Sequence, residues 1–168
     1  SIALINGLAT MDFAMRRYKG YEDALTDRGI AVDDQRVIYG EMTETYGYDT
    51  TCALLESPNP PTALLISSVI PAIGARRAIS DFGLRMGHDI SVVVHDDDLS
   101  YFRNEGDVPT YTATRSSVRD AGWHVADILL ETISAPNGPS RHLLLEAELT
   151  VGKSTGPAPA VRRLLEQG

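Results

Sequence analysis

The chain has 168 residues, 43% of them hydrophobic and 23% charged, a balance that suits one folded domain with a true core rather than a disordered segment. A formal net charge of −8 and a pI near 4.9 argue against a segment that grips a phosphate backbone, which needs clustered Lys and Arg. No apolar run approaches the ~18 residues of a membrane span, and the single cysteine, Cys52, has no partner for an internal disulfide.

The chain opens without Met or a visible signal peptide, directly on the strand-like run Ile2–Asn6, and reads as a piece cut from something longer. A helical pattern follows, with Ala14, Tyr18, Tyr21 and Leu25 at spacings of 4, 3 and 4, closed by Gly29; it predicts a helix over 12–28. A second strand is expected over 36–40. The helix after it, over 45–56, carries Tyr48, Cys52 and Leu55 on one side, with Cys52 expected as a buried structural thiol. The run Ala63–Ile66 predicts a third strand. A helix over 69–82 follows, with Pro71 in its first turn, Ala72, Ala75, Ile79 and Phe82 on one side, and Gly83 at its close. Ile90–Val94 predicts a fourth strand. These strands start about 30 residues apart, the length of a βαβ unit, so the expected fold is α/β, a parallel sheet with helices on both faces. Beyond Asp98 the rhythm changes. "LSYFRNEGDVPTYTATRS" reads as a polar loop. A longer helix over 117–134 carries Val118, Ala121, Val125, Ile128 and Leu129 on one side. "APNGPS" is a turn, "RHLLLEAELTV" a last strand, and the Gly- and Pro-rich remainder a tail.

Ligands of open parallel sheets bind outside the carboxyl ends of the strands. Gly7–Asp12, Gly40–Met42, Ser67, Ser68 and His95–Asp98 therefore share one expected rim. The three consecutive acids Asp96, Asp97 and Asp98 are its most charged part. Asp96 can accept two hydrogen bonds from hydroxyls, as a sugar offers them, or from an amine; the competing reading is a helix cap with all three acids solvated. A metal site is not expected, because D-x-D-x-D-G is absent and the four histidines lack ligand spacing. Arg16 and Arg17 project about 100° apart on their helix, so one can face the rim while the other stays in water; a surface ion pair with Asp12 or Asp23 is the alternative for Arg17. "GKST", residues 152–155, ends like a phosphate loop, but position 147 is Ala and "GPAP" follows instead of a helix. No G-x-S-x-G and no Cys–His arrangement is present. Neither an enzyme nor a cofactor is expected.

"RRYKGYEDALTDRGI", "PPTALLISS" and "AIGARRAISDFGLRMGHDISVVVHDD", in this order, resemble the effector-binding core of LacI/GalR-type bacterial transcription regulators. The resemblance runs from residue 1 to about 157 and corresponds to the second half of such a regulator, with 158–168 as a tail. It implies a periplasmic-binding-protein-like fold of two α/β lobes with ligand between them. This chain would supply mainly one lobe, and residues 117–134 would cross toward the missing one. It also implies a ligand set. Arg17 matches the effector-contacting arginine, and Asp96 the acid after the fourth strand. Met42, with Glu41 beside it, falls where the family has a stacking aromatic. Ser68, with Val69, falls on an N-D pair, and Ser116 on a polar position of the crossing segment. Met42 departs from an aromatic, and Ser68 and Val69 lose an amide and a carboxylate, which puts a common hexose in doubt as effector.

The function expected from the resemblance is effector sensing: a small, sugar-like molecule controls DNA binding by an amino-terminal helix-turn-helix outside this chain, in the cytoplasm. The alternative is a periplasmic sugar-binding protein of a transporter, and an α/β sugar enzyme lacks a catalytic constellation. A homodimer is expected, with Ile73, Arg76, Arg77, Tyr101 and Phe102 at its interface.

Overall fold

A computed structural model describes residues 1–96, 104 and 106–158 of the chain. Asp97, Asp98, Tyr101 and Phe102 lie outside the described residues. The elements run β1 (Ile2–Asn6), α1 (Asp12–Thr26), β2 (Val37–Tyr39), α2 (Glu44–Glu56), β3 (Ala63–Ile66), α3 (Val69–Asp81), β4 (Ser91–Asp96), β5 (Thr112–Arg115), α4 (Val118–Ser134) and β6 (Glu148–Thr150). They build one six-stranded sheet in the order β2-β1-β3-β4-β5-β6. The first five strands are parallel, and β6 returns antiparallel beside β5.

Period-2 alternation sorts the strand side chains onto two covered faces. Ala3, Ile5, Leu64, Ile66, Val92, Val94 and Ala113 point to one face, where they pack with Leu54, Val69, Ala72, Ala75 and Ile79 of α2 and α3. Leu4 points to the other, against Tyr21 and Leu25 of α1. The helices start and stop as their sequences dictate. Asp12 lies in the first turn of α1, where a carboxylate complements the helix dipole. Gly29 turns left-handed at φ 67°, and the Ile30 N–H closes on the Leu25 carbonyl. Ser68 caps α3, its hydroxyl accepting the Ile70 N–H, and Gly83 ends that helix at φ 70°. α2 and α3 touch backbone to backbone, because a Cβ on Gly47 would lie 1.9 Å from the Pro71 carbonyl oxygen, and one on Gly74 would lie 1.9 Å from that of Glu44.

Three details differ from the expectation. The polar loop contains β5, because Tyr111, Thr112 and Ala113 are buried and complete the sheet beside β4. The last strand is only Glu148–Thr150; residues 141–147 are exposed, Leu144 at 90%, and have no sheet neighbour among the described residues. Cys52 is half-buried, not buried. α4 forms as expected, yet none of its residues is buried, and Val118, Trp123, Val125, Leu129 and Ile133 are all exposed.

The "GKST" stretch has a structural task. Its backbone runs between the starts of β4 and β5. The Val92 N–H donates to the Ser154 carbonyl at 2.8 Å, and the Lys153 N–H to that of Pro109 at 2.9 Å. The Ser154 hydroxyl, fully buried, donates to the Val92 carbonyl and accepts the Thr112 N–H.

Candidate functional site

In the strand order 2-1-3-4-5 the chain reverses its direction of travel across the sheet between β1 and β3, and a crevice opens outside their carboxyl ends. Asn6, the last residue of β1, is fully buried and ties this point together. Its amide nitrogen donates to the Ala14 carbonyl of α1 at 2.8 Å, and its oxygen accepts the Gly7 N–H and, at 2.7 Å, the Ser67 hydroxyl beyond β3. All these groups are satisfied, so the crevice has a fixed floor.

Arg17 spans it. One turn into α1, its guanidinium donates to the Ser67 carbonyl at 2.8 Å and lies over the Phe13 ring, 4.8 Å from its centroid. Arg16 takes the surface role instead, in an exposed ion pair with Asp12 at 2.7 Å. Asp96 ends β4 and is 3% exposed. The register sets it opposite Arg115 of β5, and its carbonyl accepts the Ser116 N–H. Ser116 is fixed a second time, its hydroxyl 3.3 Å from His95 Nε2, while His95 Nδ1 lies 3.1 Å from the Thr114 hydroxyl. Nothing in the sequence singled out Asn6 or Phe13, and His95 was marked only as part of the rim segment His95–Asp98. Their signal is one of position alone, each lying in or beside a strand-end segment.

The remaining expected ligand positions gather less tightly. Ser68 is buried with its hydroxyl engaged as the α3 cap. Met42 is half-buried, and its sulfur lies 3.6 Å from where a Gly7 Cβ would be, which puts it at the end of β1. Glu41 is exposed. Tyr46 does not replace the missing aromatic. Its ring lies under Gly40, its hydroxyl is 3.0 Å from both the Asn6 and Ile38 carbonyls, and burial pushes its pKa up to about 12. On the α1 side, Arg17, His95, Thr114, Leu65, Val93 and Tyr21 line a trough of about 520 Å³. No group of three or more metal-ligating side chains occurs among the described residues. The assembled chemistry is a guanidinium fork, a carboxylate and hydroxyls at the carboxyl ends of the strands.

Of the expected dimer positions, Ile73 is partly buried against the core. Arg76 and Arg77 are exposed, with Arg77 bonded to Glu44 at 2.6 Å and stacked on Tyr48.

Comparison with known proteins agrees with this fold. Residues 1–155 match the family described as periplasmic binding protein-like domain. The chain is 44% identical over 158 residues to the HTH-type transcriptional regulator AglR of Rhizobium meliloti (strain 1021), covering 94% of this chain and 44% of that protein. It is 30% identical to the HTH-type transcriptional repressor CytR of Escherichia coli (strain K12), covering 94% and 46%. Among solved structures it is similar to a CelR–cellobiose complex, with a TM-score of 0.80 at 28% identity over 91% of this chain and 46% of that one. The Lac repressor bound to ONPG gives a TM-score of 0.80 at 31% identity, over 92% and 45%. The chain thus spans less than half the length of these relatives.

Proposed function

The chain belongs to the LacI-type transcriptional regulators with a periplasmic-binding-protein-like core, and we propose that it is the effector-sensing part of such a regulator. The observation that carries the reading is the shared rim: Arg17 reaches across the β1/β3 crevice to Ser67, while Asp96 closes the neighbouring strand. Arg17, Asp96 and Ser116 are the primary contacts, with Met42, Glu41 and Ser68 around them, and a small, sugar-like molecule is the ligand. A cellobiose complex among the similar structures supports that class. Residues 1–157 form the carboxyl-terminal part of the core. α4, with its apolar side in water, crosses toward a second lobe encoded elsewhere in the protein, and ligand binds between the lobes. Lobe closure then changes DNA binding by an amino-terminal helix-turn-helix, through the ligand's differential affinity for the open and closed arrangements. The regulator acts in the cytoplasm as a homodimer, with Ile73, Arg76 and Arg77 near the contact. The names of the relatives favour this reading over a transporter's binding protein.

In the full-length protein, Asp96→Ala should weaken sugar binding by about 1.5–3 kcal/mol, the range for a hydrogen bond to a charged group, and leave DNA affinity without sugar near normal. Calorimetry and operator titrations check both. Equal sugar affinities would return Asp96 to a purely structural role.

A further inference from the structure

β2 ends on Tyr39, which lies near Asp34 and Tyr18, and the loop beyond it carries Met42 instead of an aromatic, yet a ring stands a short distance away. Phe13 sits in the first turn of α1, half-buried. Its ring presses on Gly7 so closely that a Cβ there would lie 2.7 Å from Cε2 and 2.8 Å from Cζ. The Met42 sulfur lies 3.6 Å from the same point, so Phe13 and Met42 converge over the end of β1. The ring is held in place as well. The Arg17 guanidinium lies over it, 4.8 Å from the centroid, and that guanidinium is itself anchored on the Ser67 carbonyl. The other candidate ring beside Met42, Tyr46, is committed beneath Gly40.

Resting on the sugar-effector reading above, we propose that Phe13 is the platform on which the sugar ring stacks in this protein, so that α1 rather than β2 supplies the aromatic face. A pyranose presents one face of C–H groups and an edge of hydroxyls. An aromatic ring takes the apolar face, while on the same rim Arg17 donates and Asp96 accepts at the hydroxyl edge. Arg17 fixes the ring by its face and places a guanidinium beside it. Gly7 is the enabling residue, because any side chain there would displace the ring from the rim. Met42, unbranched and polarizable, fills the space beside the ring instead of competing for the sugar. The specificity that follows is for sugars with an unbroken apolar face, such as glucosides with equatorial hydroxyls.

The test uses the full-length protein, calorimetry, and a panel of cellobiose, maltose, sucrose and lactose. With the sugar that the wild type binds best, Phe13→Leu should lose roughly tenfold in affinity, and Phe13→Tyr and Phe13→Trp should keep it within a few-fold. Leu preserves the apolar packing on Gly7 without an aromatic face, so the contrast between Leu and Tyr isolates stacking from stability. Thermal melts of each variant without sugar identify any that fail to fold, and Phe13→Tyr against wild type then carries the comparison alone, since loss of binding by a folded Tyr variant overturns the proposal. Wild-type affinity in Phe13→Leu also overturns it, while leaving the sugar reading intact if Asp96→Ala still weakens binding. Failure of the wild type to bind any of the four sugars overturns both.

Discussion

Gly47 and Gly20 show how one residue type carries opposite consequences in the same fold. Gly47 lies where α2 meets α3, and a Cβ would stand 1.9 Å from the backbone oxygen of Pro71. Gly20 lies mid-helix in α1, exposed, with nothing within 4 Å of its Cβ position among the described residues. Gly20→Ala should therefore stabilise by about 0.5–1 kcal/mol through helix propensity alone. Gly47→Ala gains the same propensity but forces two helices apart, and should destabilise by about 2–3 kcal/mol. Urea melts of the two variants measure both signs. At this scale the sequence was partly legible. Asp96 stood out by charge and by position at a strand end, whereas Arg17 was separated from Arg16 only by the family resemblance. Phe13 did not stand out, since its place beside Met42 comes from the long-range pairing of β1, α1 and β2, which no local pattern records. Nor did Ser154, whose hydroxyl bonds to strands 40 and more residues away.

Among the elements, the turn from α3 into β4 is held by charge. Asp89 accepts from the ring of His88, from the Arg85 N–H at 2.8 Å and from the Arg85 side chain, with Gly83 and Gly87 supplying the left-handed corners. These bonds, the one from His88 foremost, hold the Asp89 carboxyl well below the usual carboxylate range. A carboxyl depressed in the folded chain stabilises it at any pH above the unfolded value, near 3.9, and that stabilisation disappears as pH falls toward the folded value. Asp89→Asn should thus melt at a lower temperature than wild type at pH 7, and the gap should narrow below about pH 4; thermal scans from pH 7 to pH 3 follow it. The first four parallel strands of the chain and all four helices were legible to within a few residues, because apolar spacing, Pro71 and the closing glycines agree. β5 was not, since "TYTATR" is polar by composition and becomes a strand only because β4 offers it an edge. Residues 141–147 erred the other way: an apolar run predicts a strand, but this chain gives it no edge to join.

Considered whole, the chain is well packed at one end and bare at the other. α2 and α3 cover one face of the sheet, whereas α4 and Leu143–Leu145 leave large apolar side chains in water. Trp123, the chain's one tryptophan, is 69% exposed on α4 and reports on that bare end. In the isolated 168-residue chain its emission should be that of a solvated indole, open to acrylamide quenching. In the full-length protein it should shift to shorter wavelength and resist quenching, as α4 meets the second lobe. Identical spectra would mean that α4 is not a lobe contact. The strap at Ser154 has a consequence in time. The seam between the starts of β4 and β5 is completed by a residue 62 positions beyond Val92, so nothing made earlier can close it. As the chain leaves the ribosome, the sheet waits unfinished through the whole excursion of α4 and the segment after it. The antiparallel return of β6 then brings in the strap that closes it. Contacts of such long range form slowly. The sheet is finished only after α4 and the segment behind it have been made, so those residues are synthesised while the seam between β4 and β5 is still open.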